Sequence, residues 1–217
     1  MTQDDWFRNR RWDDAIEAAF FARLSRSRKK SQYIRIQACE LAERHPKVAL
    51  RLLDQYFASL TSAEPYEAVD RAAAYHHRAS AHLALGDTEA AIVSYEDALA
   101  REAEFPNSRT QAYVDLPFLI ATRRLQSYYD RALDILREHG TRSKLPIEQF
   151  RWNAAQALIS DDLGRSGDAQ AFATNALAAA RNHSGFRYHR TIGLVRDFDP
   201  EVHQRLEHLA QRGLLSS

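Results

Sequence analysis

Apolar residues along this chain recur every three to four positions, the spacing that places them on one side of a helix. Trp12, Ile16, Phe20 and Leu24 form one such stripe, and the segment YIRIQACEL around Cys39 forms another. No stretch alternates apolar and polar residues with the period of two expected of a half-buried strand. The punctuation agrees with helices. Pro46, Pro65, Pro106, Pro146 and Pro200 each stand where an apolar-periodic stretch is about to begin. A helix accepts proline there because its first N–H groups have no intrahelical partner. Gly86, Gly140 and Gly164 stand at the opposite ends, where a left-handed residue closes a helix. Thr61 with Glu64, and Ser108 with Gln111, match the reciprocal capping pattern of a helix start. Together these signals predict helices over 13–25, 28–44, 46–59, 63–85, 88–102, 108–124, 128–139, 147–164, 167–182 and 200–212, and an all-α fold.

One stretch carries a finer signature. Residues 72–105 read AAAYHHRASAHLALGDTEAAIVSYEDALAREAEF, in which Tyr75 is followed by Ala79, Gly86-Asp87, Ala91, Tyr95 and Ala98-Leu99. This resembles the tetratricopeptide repeat, a unit of two antiparallel helices about 34 residues long. Residues 150–183 resemble a second copy, with Ala157 and Gly164 in the first helix and turn and Ala169 and Ala176 in the second helix. Asn153 and Ala173 depart from the pattern there. Residues 30–57 and 107–139 are weaker copies, the latter interrupted by Pro117. Such a unit cannot bury its apolar face alone. The resemblance therefore implies a right-handed α-solenoid of stacked antiparallel hairpins, with residues 1–217 as a single domain. An N-terminal capping helix would lie in 1–29, about four hairpins in 30–183, and a loop and capping helix in 184–217.

The same resemblance implies a non-catalytic scaffold that binds a protein or peptide as an adaptor, regulator or inhibitor. In that family the first helix of each hairpin lines an inner groove where peptides lie. Its offsets fall on His76, Ser80 and Leu83 in the clear copy, and on Arg151, Ala154, Leu158 and Asp161 in the second. Arg109 and Tyr113 are the corresponding pair in 107–139. Some family members clamp a C-terminal carboxylate with Lys and Asn at these places; this chain has neither there. Filling of the groove by another part of the chain, or its use in a homodimer, is the alternative to a groove that binds a foreign peptide.

Composition narrows the setting. Of 217 residues, 45% are hydrophobic and 27% charged, the range of an ordinary soluble globular protein. There is no apolar run long enough to span a membrane and no apolar stretch of a secretory leader near the N-terminus. The one cysteine, Cys39, excludes an intramolecular disulfide. A cytoplasmic protein with no membrane partner is expected. The net charge of +1 conceals a basic start, with residues 1–60 at +4, an acidic middle, with 61–120 at −6, and a remainder at +3. Arg8, Arg10, Arg11, Arg23, Arg26, Arg28, Lys29 and Lys30 lie among Trp6, Phe7 and Trp12, a combination that attracts nucleic-acid backbones and bases. A nucleic-acid-associated factor is thus the second reading, against which the near-neutral total charge weighs.

Catalytic chemistry has no foothold in the pattern. A glycine-rich phosphate loop, an HExxH helix and a nucleophile-elbow serine are all missing. His76 and His77 are adjacent, and His203 and His208 are five apart, so neither pair shares a helix face as two metal ligands four apart would. No enzyme, cofactor or metal is expected, and an accessory subunit of an enzyme is the third reading. His82 and Cys39 are read as buried. The segment His183–Arg190 holds His183, Arg187, His189 and Arg190, whose guanidinium groups match carboxylate or phosphate and would make an anion pocket. The preferred alternative is a strap in which Phe186 and Tyr188 cover the end of the last hairpin.

Overall fold

The computed structural model describes residues 5–60, 65–142, 145–183, 191–196 and 199–212, and only the main chain of 65–69 and 141. Among the described residues there are ten α-helices and no strand. They are α1 (Asp14–Ser25), α2 (Lys30–Leu41), α3 (Pro46–Ser59), α4 (Pro65–Ala84), α5 (Thr88–Glu104), α6 (Ala112–Thr122), α7 (Tyr129–His139), α8 (Pro146–Asp162), α9 (Ser166–Arg181) and α10 (Pro200–Gln211). Contacts divide the chain into two compact units, Met1–Ala112 and Tyr113–Ser217.

In the first unit α2 packs on α3 and α4 on α5, each pair joined by a short turn, and α3 packs on α4. The interior is built around Phe20, Leu24, Ile34, Leu41, Leu52, Leu53 and Tyr56, with small residues at the close approaches. Ala38, Ala49, Ala79, Ala91 and Ala98 are all fully buried. A methyl side chain lets two helix backbones come near while still filling the space between them. Ion pairs tie the helices on the outside: Arg51 to Glu17 at 2.6 Å, Arg78 to Asp54 at 2.7 Å and Arg35 to Asp70 at 3.2 Å. The stripe predicted for the first helix is buried at Phe20 and Leu24 and half-buried at Trp12 and Ile16.

In the second unit α8 packs on α9, and α10 lies against both. Here the alanines at the interface are Ala154, Ala155, Ala157, Ala169, Ala173 and Ala176, all fully buried. Two neighbouring acids at the end of α8 fasten the surrounding helices. Asp162 accepts from the Tyr129 hydroxyl of α7 and pairs with Arg205 of α10 at 3.3 Å, while Asp161 pairs with Arg212 at 2.6 Å. Burial, and then the hydrogen bond to Asp162, push the Tyr129 phenol well above its ordinary range. No helix among the described residues is long and apolar enough to cross a membrane.

The helix ends obey local chemistry. Pro46, Pro146 and Pro200 take the first turn of α3, α8 and α10. The Asp13 and Asp87 carboxylates accept from the N–H groups of Ile16 at 2.8 Å and Ala90 at 3.0 Å. Gly86 and Gly164 close α4 and α8 in the left-handed conformation, at φ 79° and 73°. In each turn the following N–H reaches back five residues: Asp87 to His82 at 2.9 Å, and Arg165 to Ser160 at 2.8 Å. A third turn of the same kind closes α6, where Leu125 reaches Ile120 at 3.0 Å and Arg124, at φ 53°, takes the glycine's place.

Three expectations about the helices, two of them about their ends, are corrected. Pro106 and Ser108 do not begin a helix, because the loop before α6 is held elsewhere. The Glu102 carboxylate, buried in α5, accepts from the Thr110 N–H at 2.8 Å and hydroxyl at 2.6 Å. The Thr110 hydroxyl oxygen in turn accepts from the Ala112 N–H at 3.1 Å, so α6 starts there. Gly140 is not left-handed: it has φ −56° and opens a 3₁₀ turn, Gly140–Arg142. A side chain there would sit 3.4 Å from the Trp152 ring. Pro117 lies inside α6, which runs on through it. The capping pair Thr61 and Glu64 lies outside the residues whose side chains are described.

Candidate functional site

The groove positions read from the sequence meet different fates in the two units. In the first, His76 and Ser80 line a cleft of about 460 Å³ together with Cys39, Glu43, Arg44 and His77. Arg10, Glu40 and Ala42 complete its wall. The cleft lies where the end of α2 faces α4, and successive turns of α4 bring His76, His77 and Ser80 to it. Leu83 is half-buried and does not line it. The size suits a small polar ligand or a few residues of an extended chain.

The cleft mixes charges. Arg10 and Arg44 supply positive charge and Glu40 and Glu43 negative charge, while Ser80 donates to the His76 carbonyl at 3.2 Å. Burial, then the neighbouring His76 and Arg35, push the His77 imidazole down to about 3, so it is neutral at physiological pH. Its Nδ1 is buried without a partner among the described residues. Cys39 corrects the expectation of a buried thiol: it is exposed at the cleft. The protein packed behind its sulfur, and then Glu40, raise the thiol pKa, so little thiolate forms at neutral pH. His82, also read as buried, is half-buried beside Asp87 at 4.0 Å. Burial lowers its pKa first, partly offset by Asp87.

In the second unit the predicted groove residues are taken up by the fold itself. Leu158 and Ala154 are fully buried, because α8 is covered by neighbours around most of its circumference. Tyr113 is buried at 3% exposure, edge-on to His139 and beneath the Arg142 guanidinium. Arg151 is paired with Asp115 of α6 and lies over the Phe118 ring at 6.0 Å. Asp161 is held by Arg212. Arg109 is exposed, in the loop before α6 rather than on a helix, and donates to the Pro106 carbonyl at 3.1 Å. These residues do not come together as a site. Of the proposed anion pocket, His183 is exposed just beyond α9, whereas Arg187, His189 and Arg190 lie outside the described residues, as do Phe186 and Tyr188.

The sequence missed one residue of this region. Gln37 is a fully buried polar side chain within an apolar-periodic stretch. Its amide accepts from the Asn9 N–H at 3.0 Å and donates to the Asn9 carbonyl at 2.7 Å. The signal was its polarity at a core position, which demands a partner somewhere. Around it the N-terminal basic residues are partly spent: Arg8 and Arg10 pair with Glu40 at 3.1 and 3.3 Å. Arg11, Arg26, Arg28, Lys29 and Lys30 are exposed. Among the described residues no group of three or more His, Cys, Asp or Glu side chains is placed to hold a metal ion. No protein-family model matches the chain, and no curated protein or solved structure matches it either.

Proposed function

We propose that this chain is a non-catalytic, tetratricopeptide-like scaffold, a right-handed α-solenoid whose first unit binds a peptide or protein segment in the cleft between α2 and α4. The observation that carries the reading is the meeting of His76 and Ser80, two positions that the repeat resemblance assigns to a groove, in one open cleft with Arg44 and Glu43. The packed pairs α4/α5 and α8/α9, joined by like left-handed turns at Gly86 and Gly164, support the repeat. A cleft bearing both signs of charge suits a peptide, whose main chain and side chains present donors, acceptors and charges together. The partner acts in the cytoplasm, and the scaffold serves as adaptor, regulator or inhibitor.

A nucleic-acid role is the second reading, favoured by the exposed Arg26, Arg28, Lys29 and Lys30 beside Arg11. The pairing of Arg8 and Arg10 with Glu40 removes part of that positive surface. One experiment separates the two. The full chain and a His76→Glu, Arg44→Glu variant are used to capture partners from extract, with and without nuclease. Under the peptide reading a protein partner survives nuclease and is lost with the cleft variant. Capture that ends on nuclease treatment and ignores the cleft variant overturns it.

A further inference from the structure

Residues 5–12 form no regular secondary structure, yet they are laid along one face of α2 by contacts of three kinds in register. Trp6 and Phe7 pack on Tyr33, with ring centroids 5.1 and 4.6 Å away. One turn further, the Gln37 amide brackets the main chain of Asn9 on both sides and also accepts from the Asn9 side chain at 2.9 Å. At the next turn Glu40 takes both Arg8 and Arg10. Tyr33, Gln37 and Glu40 follow one another at helical spacing and form one stripe. An apolar seat, a main-chain clamp and a carboxylate for guanidinium are the elements by which a receptor reads an extended peptide.

The segment covers Gln37 completely but leaves its own arginines open to solvent. A second cavity of about 620 Å³ lies on its other side, lined by Asp5, Arg8, Asn9 and Arg11. Arg10 and Glu40 line this cavity and the 460 Å³ cleft alike, so their ion pair is the partition between the two. The Arg8 and Arg10 side chains remain 49% and 76% exposed.

We propose that the Tyr33–Gln37–Glu40 stripe is a binding site for an extended basic segment of another protein, one carrying adjacent aromatic residues followed by arginines, and that residues 5–11 occupy it as a competing ligand in cis. The inference rests on the peptide-binding reading above and adds the class of segment and a control on its access. A tethered segment acts at an effective concentration of about millimolar. A free segment making the same contacts is therefore excluded until the arm is weakened or the ligand is abundant.

The test uses a fluorescent peptide with the sequence of Asp5–Arg11, added to the full chain. Arg8→Glu, Arg10→Glu sets the arm against Glu40, and this variant is expected to bind the peptide at least about tenfold more tightly than the unaltered chain. Adding Glu40→Lys restores the pairing in cis and repels the peptide, returning binding to the unaltered level or below. Equal weak binding by all three chains overturns the proposal. If the double variant does not fold, the unaltered chain carries the test: millimolar peptide should speed hydrogen exchange at the Asn9 amide several-fold and leave the α5 amides unchanged. Unchanged exchange at Asn9 overturns it. Neither readout depends on finding a natural partner, so a failed capture experiment and a failed peptide titration strike different claims.

Discussion

Gln37 holds Asn9 as a neighbouring strand would, its side-chain carbonyl receiving the Asn9 N–H and its NH₂ reaching the Asn9 carbonyl. With its oxygen as acceptor and one N–H as donor, the Gln37 amide satisfies both main-chain groups of a residue that has no helix or sheet to do so. The consequence is an N-terminal segment fixed on α2 by main-chain recognition. Gln37→Ala should lower stability by about 1–3 kcal/mol, the cost of leaving buried polar groups without partners. Asn9→Ala keeps both main-chain bonds and should cost less. Urea unfolding of the two variants gives the order, and a larger loss for Asn9→Ala would place the recognition in the side chain instead.

The neutral His77 sets a pH dependence. Its folded pKa of about 3 lies below its ordinary 6.5, so between those values the unfolded chain binds the proton and the folded one does not. This contribution to stability is complete above pH 6.5 and is lost as the pH falls toward 3. The slope from this one group is at most about 1.4 kcal/mol per pH unit. Melting the protein between pH 7 and 4.5 should show the decline, and His77→Phe should flatten it. A variant as acid-sensitive as the unaltered chain would remove His77 as the cause.

Glu17 acts in a neighbouring window. The Arg51 hydrogen bond, and then the Trp12 indole, hold its carboxyl below the usual 4.5. Its contribution is present above that value and fades as the pH falls below it. Glu17→Gln should therefore bring the acid limbs of the two melting profiles together only below about pH 4.5. Profiles that already coincide at pH 6 would show that the carboxylate contributes nothing there.

The three left-handed turns predict opposite signs for like substitutions. Added side chains at Gly86 and Gly164 would meet nothing within 4 Å, so alanine there costs only the conformational penalty, about 1 kcal/mol. Arg124 already carries that penalty at φ 53°, and Arg124→Gly should be neutral or stabilising by up to about 1 kcal/mol. Gly193→Ala should be the most damaging, since its Cβ would lie 2.8 Å from that of Leu145 at a residue whose carbonyl accepts from Ile147. Thermal denaturation ranks the four, and a destabilising Arg124→Gly would contradict the account of the turn.

Ala79 and Ala91 test the packed pair α4/α5. Both are fully buried, and tryptophan at either should overpack the interface and cost about 1–3 kcal/mol or more. Unchanged melting curves by circular dichroism in both variants would be incompatible with the close approach of the two helices.

Much of the fold was legible because its signals are local. Pro46 and Pro200 begin helices and Gly86 and Gly164 end them, each through backbone geometry settled within about five residues. A helix start was misplaced where the deciding bond was longer in reach: Glu102 captures Thr110 and delays α6 beyond Ser108. The end of this helix near residue 124 was legible, but the left-handed conformation of Arg124 that closes it was not, because that residue is not glycine. At the cleft, helical spacing in the sequence already put His76 and Ser80 one turn apart on the same side of α4. It could not tell whether that side stays open. Leu158 and Ala154, expected to line a groove, are covered by other helices, and Asp161 and Arg151 are claimed by Arg212 and Asp115 from elsewhere in the chain. The partnership of Gln37 with Asn9, 28 residues apart, belongs to the same class. Spacing along a helix is encoded locally, whereas burial and pairing depend on which distant segments arrive, and only the tertiary structure decided that.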